Sequence, residues 1–134
     1  MSKEKKDLVS KLCPKKGKIF LVAGKRTPFA AFGGSFSNIS PVDLSVLSAQ
    51  ELLKEINLDI HFIDEVIMAN VLPVSSDTLY GARHVALKLK APITTPAFNL
   101  NRLCGSGIEA ISQAKNLISS GARNCVLVTG AENM

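Results

Sequence analysis

Short continuous apolar runs alternate along this chain with segments whose apolar residues recur at helical spacing. Ile19-Phe20-Leu21-Val22-Ala23, closed by Gly24, is the first run. Val66-Ile67-Met68-Ala69 with Val71-Leu72 is the second, Pro96 to Leu100 the third and Cys125 to Thr129 the fourth. Such runs, bounded by Gly or Pro, are the pattern of strands covered on both faces. Between them, Val42, Val46, Ala49, Leu53 and Ile56 mark one helix face, and Leu79, Ala82, Ala86 and Leu89 a second. Ile108, Ile111, Ala114, Leu117 and Ile118 mark a third. Ser40-Pro41-Val42-Asp43 is a helix start, with a capping hydroxyl, proline at the first helical position and an acid in the first turn. Gly121 is placed to end the third helix. The expected order is βαβαβαβ, an α/β fold with a mostly parallel sheet flanked by helices and right-handed crossovers.

Composition agrees with a packed domain. The 134 residues are 46% hydrophobic and 20% charged, and only 5% are aromatic, with no Trp. Base-stacking surfaces and aromatic cages are therefore disfavoured. The net charge of +5 changes meaning once it is mapped. Seven lysines against Glu4 and Asp7 place all of it in the first eighteen residues, and the rest of the chain balances. Residues 1–17 read as a solvated basic tail and 18–134 as the folded domain, with neither nucleic acid nor membrane as a partner. Cys13, Cys104 and Cys125 show no metal-ligand spacing and suit a reducing compartment. No apolar run is long enough to span a bilayer, and the amino terminus lacks secretory and mitochondrial leader patterns. A cytoplasmic location is expected.

Cys104 is the residue that points to chemistry. It stands in Asn101-Arg102-Leu103-Cys104-Gly105-Ser106-Gly107, between the third strand run and the third helix pattern. Backbone N–H groups converge at such a turn, and the helix dipole is positive there. A thiolate is stabilised by that field and becomes a usable nucleophile near neutral pH. Cys125, within a strand run, reads as core, and Cys13 as a bystander in the tail. His84, next to Arg83, reads as a packing histidine, and His61 likewise. Gly105-Ser106-Gly107 lacks the further glycines or the Lys-Ser/Thr pair of phosphate loops. Gly33-Gly34 reads as a loop that needs positive φ. Asn101 and Arg102 are expected to shape the turn around Cys104. No metal site is expected, and the sequence leaves cofactor-binding residues unknown.

Several motifs, in order, resemble the N-terminal part of a thiolase. They are Ala23-Gly24-Lys25-Arg26-Thr27-Pro28-Phe29, Phe32-Gly33-Gly34, Asp64 to Leu72, Ala82-Arg83, Asn101 to Gly107, and Gly130-Ala131-Glu132-Asn133-Met134. Ser75-Ser76-Asp77, Tyr80 and Ala82 to Val85 lean toward the 3-ketoacyl-CoA thiolase (acetyl-CoA acyltransferase) branch, with acetoacetyl-CoA thiolases close behind. The resemblance implies reversible acyl transfer between 3-ketoacyl-CoA and CoA, with coenzyme A as substrate and no bound cofactor. It implies that Cys104 is the acylated nucleophile, its backbone N–H donating to the oxyanion. It also implies a dimer or tetramer for a full-length protein. The family's other catalytic motifs, of Gly-His-Pro, Asn-Glu-Ala-Phe and Cys-X-Gly type, do not occur in this sequence. The match covers the front of the first of two similar halves. An incomplete half-domain is expected: a truncated product, a split-gene piece or a fragmentary gene model. A non-catalytic, partner-binding piece is the competing expectation. A β-ketoacyl synthase relative is a third, disfavoured by the Cys-Gly-Ser-Gly block.

Overall fold

Ser40 caps the first helix, α1 (Pro41–Glu55), and its Oγ accepts from the Asp43 N–H at 3.1 Å. Val42, Val46, Ala49 and Leu53 turn inward from it, as their spacing requires. The computed structural model describes residues 17–134. Apart from Gly17, the basic tail lies outside the described residues, as does Cys13.

Strand β1 (Glu65–Ala69) is buried along its whole length. It is the centre of a three-stranded sheet, with β2 (Ala97–Leu100) on one side and β3 (Val126–Gly130) on the other. All pairings are parallel; Met68, for example, stands opposite Asn99 and Thr129. Because side chains alternate along a strand, β1 feeds two cores. Val66 and Met68 pack with α1 and with α2 (Gly81–Lys88). Ile67 and Ala69 pack against Ala110 and Ala114 of α3 (Ser106–Ser119). Helices thus cover both faces of a parallel sheet, as the alternation of patterns predicts. Gly121 follows α3 with φ +76°, in the terminating role its position suggested.

Three sequence expectations need correction. Residues 19–23 form no strand, and Leu21 is 85% exposed. A strand requires a neighbouring edge to take its N–H and C=O groups. Here residues 19–23 face Cys125 to Val128 across an apolar cavity of about 350 Å³ instead of pairing with β3. The order among the described residues is therefore αβαβαβ. Second, β2 is an edge strand with Phe98 and Asn99 exposed, not a strand covered on both faces. Third, the α3 stripe is only half used. Ala110 and Ala114 are buried, whereas Ile108 is 77% exposed and Ile111 half exposed. Periodicity shows which residues share a face, and the neighbouring layer decides which of them it covers. No helix among the described residues is long and apolar enough to cross a membrane.

Candidate functional site

In a parallel sheet the loops that leave the strands gather at one rim, outside the carboxyl ends. Residues 70–80, 101–105 and 131–134 do so here, following β1, β2 and β3. Cys104 is exposed on the middle of these loops, two residues ahead of α3.

The turn that carries it is tightly hydrogen-bonded. Leu103 adopts φ +50°, a left-handed conformation costing about 1–2 kcal/mol for a side chain of this kind. Three groups hold it there. Asn101 Oδ1 accepts from the Leu103 N–H at 3.0 Å. Ser106 Oγ donates to the Leu103 carbonyl at 2.6 Å while accepting from the Arg102 N–H at 2.8 Å. The Ser106 N–H also donates to the Leu103 carbonyl, at 3.0 Å, and the Gly105 N–H to that of Arg102, at 3.1 Å. Among the described residues nothing accepts from the Cys104 N–H. Arg102 pairs with Glu109 of α3 at 2.7 Å, so its side chain braces the turn against the helix. A Cβ at Gly107 would meet nothing within 4 Å, so the space beside the turn is open.

The other candidates lie elsewhere or act structurally. Cys125 is half-buried at the start of β3, less enclosed than its strand pattern suggested, and its N–H donates to Asp64 Oδ2 at 3.1 Å. His84 Nδ1 donates to the Asp77 carbonyl at 2.7 Å, a hydrogen bond that ties α2 to the loop before it. His61 Nδ1 lies 2.7 Å from Asp59 Oδ1, an acid partner the sequence reading missed. That pair precedes β1, at the opposite end of the sheet from Cys104. The Ser106 hydroxyl is turned inward, onto the backbone of Arg102 and Leu103. Gly33 has φ +66°, and at Gly34 a Cβ would stand 2.8 Å from the Ala31 carbonyl oxygen; both loop glycines are required by backbone geometry. Among the described residues no group of three or more His, Cys, Asp or Glu is placed to hold a metal ion.

A cavity of about 440 Å³ opens between residues 23–32 and 127–134 on the same rim. Cys104 lines neither this cavity nor the apolar one near β3. The nucleophile candidate is therefore presented on an open surface.

Residues 19–134 match the family model described as the N-terminal domain of thiolase. The chain belongs to the thiolase family. Human mitochondrial 3-ketoacyl-CoA thiolase is 43% identical over 116 residues, which are 87% of this chain and 29% of that protein. A probable acetyl-CoA acyltransferase of Staphylococcus aureus is 39% identical over 117 residues, 87% of this chain and 30% of the relative. The crystal structure of the human mitochondrial enzyme in complex with CoA superposes with a TM-score of 0.74 at 43% identity. That likeness covers 76% of this chain and 26% of the human one. The thiolase segment described here thus spans about 30% of the length of these curated relatives.

Proposed function

We propose that this chain is the nucleophile-bearing N-terminal segment of a thiolase that transfers acyl groups between 3-ketoacyl-CoA and CoA. The Cys104 thiolate attacks the 3-keto carbon. The C2–C3 bond breaks, the acyl group stays on sulfur, and the departing enolate takes a proton to become acetyl-CoA. The thiolate of a free CoA then attacks the acyl-enzyme and regenerates the Cys104 thiolate. Exchange between sulfurs of similar basicity keeps the second half-reaction reversible, and the first runs in reverse as condensation when an acid–base group forms the enolate of acetyl-CoA. The Cys104 N–H supplies one donor to the oxyanion of each tetrahedral intermediate.

The observation that carries this reading is the exposed Cys104 on a locked turn at the amino end of a fourteen-residue helix, with its own N–H unclaimed. The relatives named for 3-ketoacyl-CoA and acetyl-CoA support the substrate class. Protonating the enolate needs acid–base groups, and the motifs that the resemblance assigns to them are absent from this sequence. Carbon–carbon cleavage by this chain alone is therefore not expected, whereas thioester exchange needs only the sulfur. Incubation with acetyl-CoA and isotopically labelled CoA tests this. Label should enter acetyl-CoA faster than in buffer, and Cys104→Ser should abolish the gain. Exchange unaffected by that substitution would overturn the reading.

The same proposal includes a homo-oligomer, dimer or tetramer, for the full-length protein. Its support is the unpaired outer edge of β2, flanked by the exposed side chains of Leu79, Tyr80, Ile93 and Phe98. It also places the domain at 18–134 behind a basic tail, in agreement with a family match that begins at residue 19. A cytoplasmic location is part of it as well, on the sequence pattern of three cysteines without a disulfide framework. A second reading, a non-catalytic piece that binds a partner chain, is favoured by the apolar cavity between residues 19–23 and β3. Exchange lost in Cys104→Ser excludes it; no exchange at all selects it.

A further inference from the structure

The motif that closes the chain, Gly130-Ala131-Glu132-Asn133-Met134, has no part in the chemistry above. Glu132 and Asn133 are nevertheless engaged by hydrogen bonds on the rim that carries Cys104. Sheet pairing runs on past β3: the Ala131 N–H donates to the Ala69 carbonyl at 3.2 Å, and Asn70 Nδ2 to the Ala131 carbonyl at 2.9 Å. This delivers Glu132 to the loop that follows β1. Its Oε1 accepts from the Val71 N–H and its Oε2 from the Leu72 N–H. Asn133 Nδ2 donates to the carbonyls of Phe36 and Ile39, both at 2.6 Å, and fixes the residue after Glu132.

The peptide unit joining Val71 to Leu72 is the informative element. Its N–H donates to Glu132 Oε2 at 3.3 Å, a long bond, while the other carboxylate oxygen is taken by the Val71 N–H. Its carbonyl, that of Val71, accepts from Asn101 Nδ2 at 3.1 Å. The other end of the Asn101 amide, Oδ1, accepts from the Leu103 N–H. Two amide groups thus stand head to tail between an anion and the residue preceding Cys104. A carboxylate makes the stronger, charge-assisted kind of hydrogen bond. It polarises the amide it binds, and the polarisation passes along the chain to the next acceptor.

Resting on the assignment of Cys104 as nucleophile, we infer that Glu132 is a positioning residue for it, acting through the Val71–Leu72 peptide and Asn101 to hold Leu103 in its left-handed conformation. Glu132 touches no reacting atom. It fixes the direction in which the turn presents the sulfur and the Cys104 N–H.

The experiment uses the full chain, with site-resolved mass spectrometry of iodoacetamide alkylation at a pH where the thiol is fully ionised. Backbone amides are followed by NMR. Glu132→Gln should slow alkylation at Cys104, but not at Cys125, by about five- to tenfold, the loss of roughly one hydrogen bond. Hydrogen exchange of the Leu103 amide should accelerate by a similar factor. A purely local anchoring role would change the Val71 and Leu72 amides and leave Leu103 alone; that result overturns the inference. Asn101→Ala removes both the donor to Val71 and the acceptor for Leu103, so it cuts the relay downstream of Glu132. It should slow Cys104 at least as much, and Glu132→Gln added to it should slow Cys104 no further, within about twofold. Glu132→Asp, which shortens the reach of the carboxylate, is the second variant should Glu132→Gln fail to fold, and it should slow Cys104 in the same sense. Effects that multiply would mean two independent contacts and no relay. In a separate run at pH 7, where thiolate fraction limits the rate, wild-type Cys104 reacting no faster than a cysteine tripeptide would overturn the nucleophile assignment. Equal rates in wild type and the variants would overturn the relay.

Discussion

Removing the Ser106 hydroxyl is the sharpest way to unlock the turn without touching the sulfur. Ser106 is the first residue of α3 and 4% exposed. Its Oγ makes two hydrogen bonds, at 2.8 Å from the Arg102 N–H and at 2.6 Å to the Leu103 carbonyl. Alanine removes both. The Leu103 carbonyl keeps its bond from the Ser106 N–H and stays satisfied. The Arg102 N–H keeps nothing. The cost is about 1 kcal/mol for each lost bond, and up to about 1 more for the stranded donor, which water partly relieves because Arg102 is exposed. Alanine's better helix propensity returns roughly 0.5 kcal/mol. The net loss is about 2 kcal/mol, or a fall in Tm of about 6–12 °C for a domain of this size. Urea titration with an unchanged slope would measure it. Ser120→Ala is the internal control, since that hydroxyl makes one exposed bond, 3.0 Å from the Leu117 carbonyl. It should cost less than about 0.5 kcal/mol. Equal stabilities of wild type and Ser106→Ala, or equal losses in the two variants, would refute the picture of a locked turn.

Gly81→Ala should destabilise by about 1–2 kcal/mol, because the new Cβ would lie 2.6 Å from the buried Met68 Sδ and overpacking outweighs the alanine's helical gain. The loss should vanish in a Met68→Ala background, as chemical denaturation of all four chains will show. Asp77 governs the acid limb of stability. Burial raises its carboxyl, but hydrogen bonds from Ser75 and Ser40 and the charge of Lys88 outweigh that and hold it below the ordinary range. Its contribution is complete above the ordinary carboxylate pKa and is lost as pH falls through the lowered folded value, so Asp77→Asn should flatten that limb. Lys88 behaves in the opposite sense. The hydrogen bond to Asp43 raises it against the opposing pull of burial, and Asp43 and Asp77 add their charges. Its contribution is lost only as pH rises through the raised value, and Lys88→Met should flatten the alkaline limb of the same titration.

What the sequence discloses follows the range of each interaction. Ser40, Pro41 and Asp43 mark a helix start through bonds that span three residues, and α1 begins there. β1 is legible because every residue of it is covered, leaving Val66 to Ala69 as a continuous apolar run after Glu65, which Arg123 pairs. Residues 19–23 carry the same pattern, but pairing depends on an edge elsewhere in the fold, and the pattern alone misleads. Ile108 and Ile111 mislead in the same way, since only a neighbouring layer can bury a stripe. Cys104 stands out through its local block. Asn101 and Ser106, which hold its turn, lie in the same block, and an Asn two residues before a turn is a local signal. Glu132, the inferred positioning residue, does not stand out, because it reaches Val71 and Leu72 across some sixty residues.

The central claim is that the Cys104 sulfur accepts the acyl group. Peptide mapping of the chain after brief exposure to an acyl-CoA at neutral pH measures this without any need for turnover. The adduct should sit on the peptide containing Cys104, be released by free CoA, and be scarce on Cys125. Label spread evenly across the thiols, or resting on lysines and refractory to CoA, would contradict the assignment.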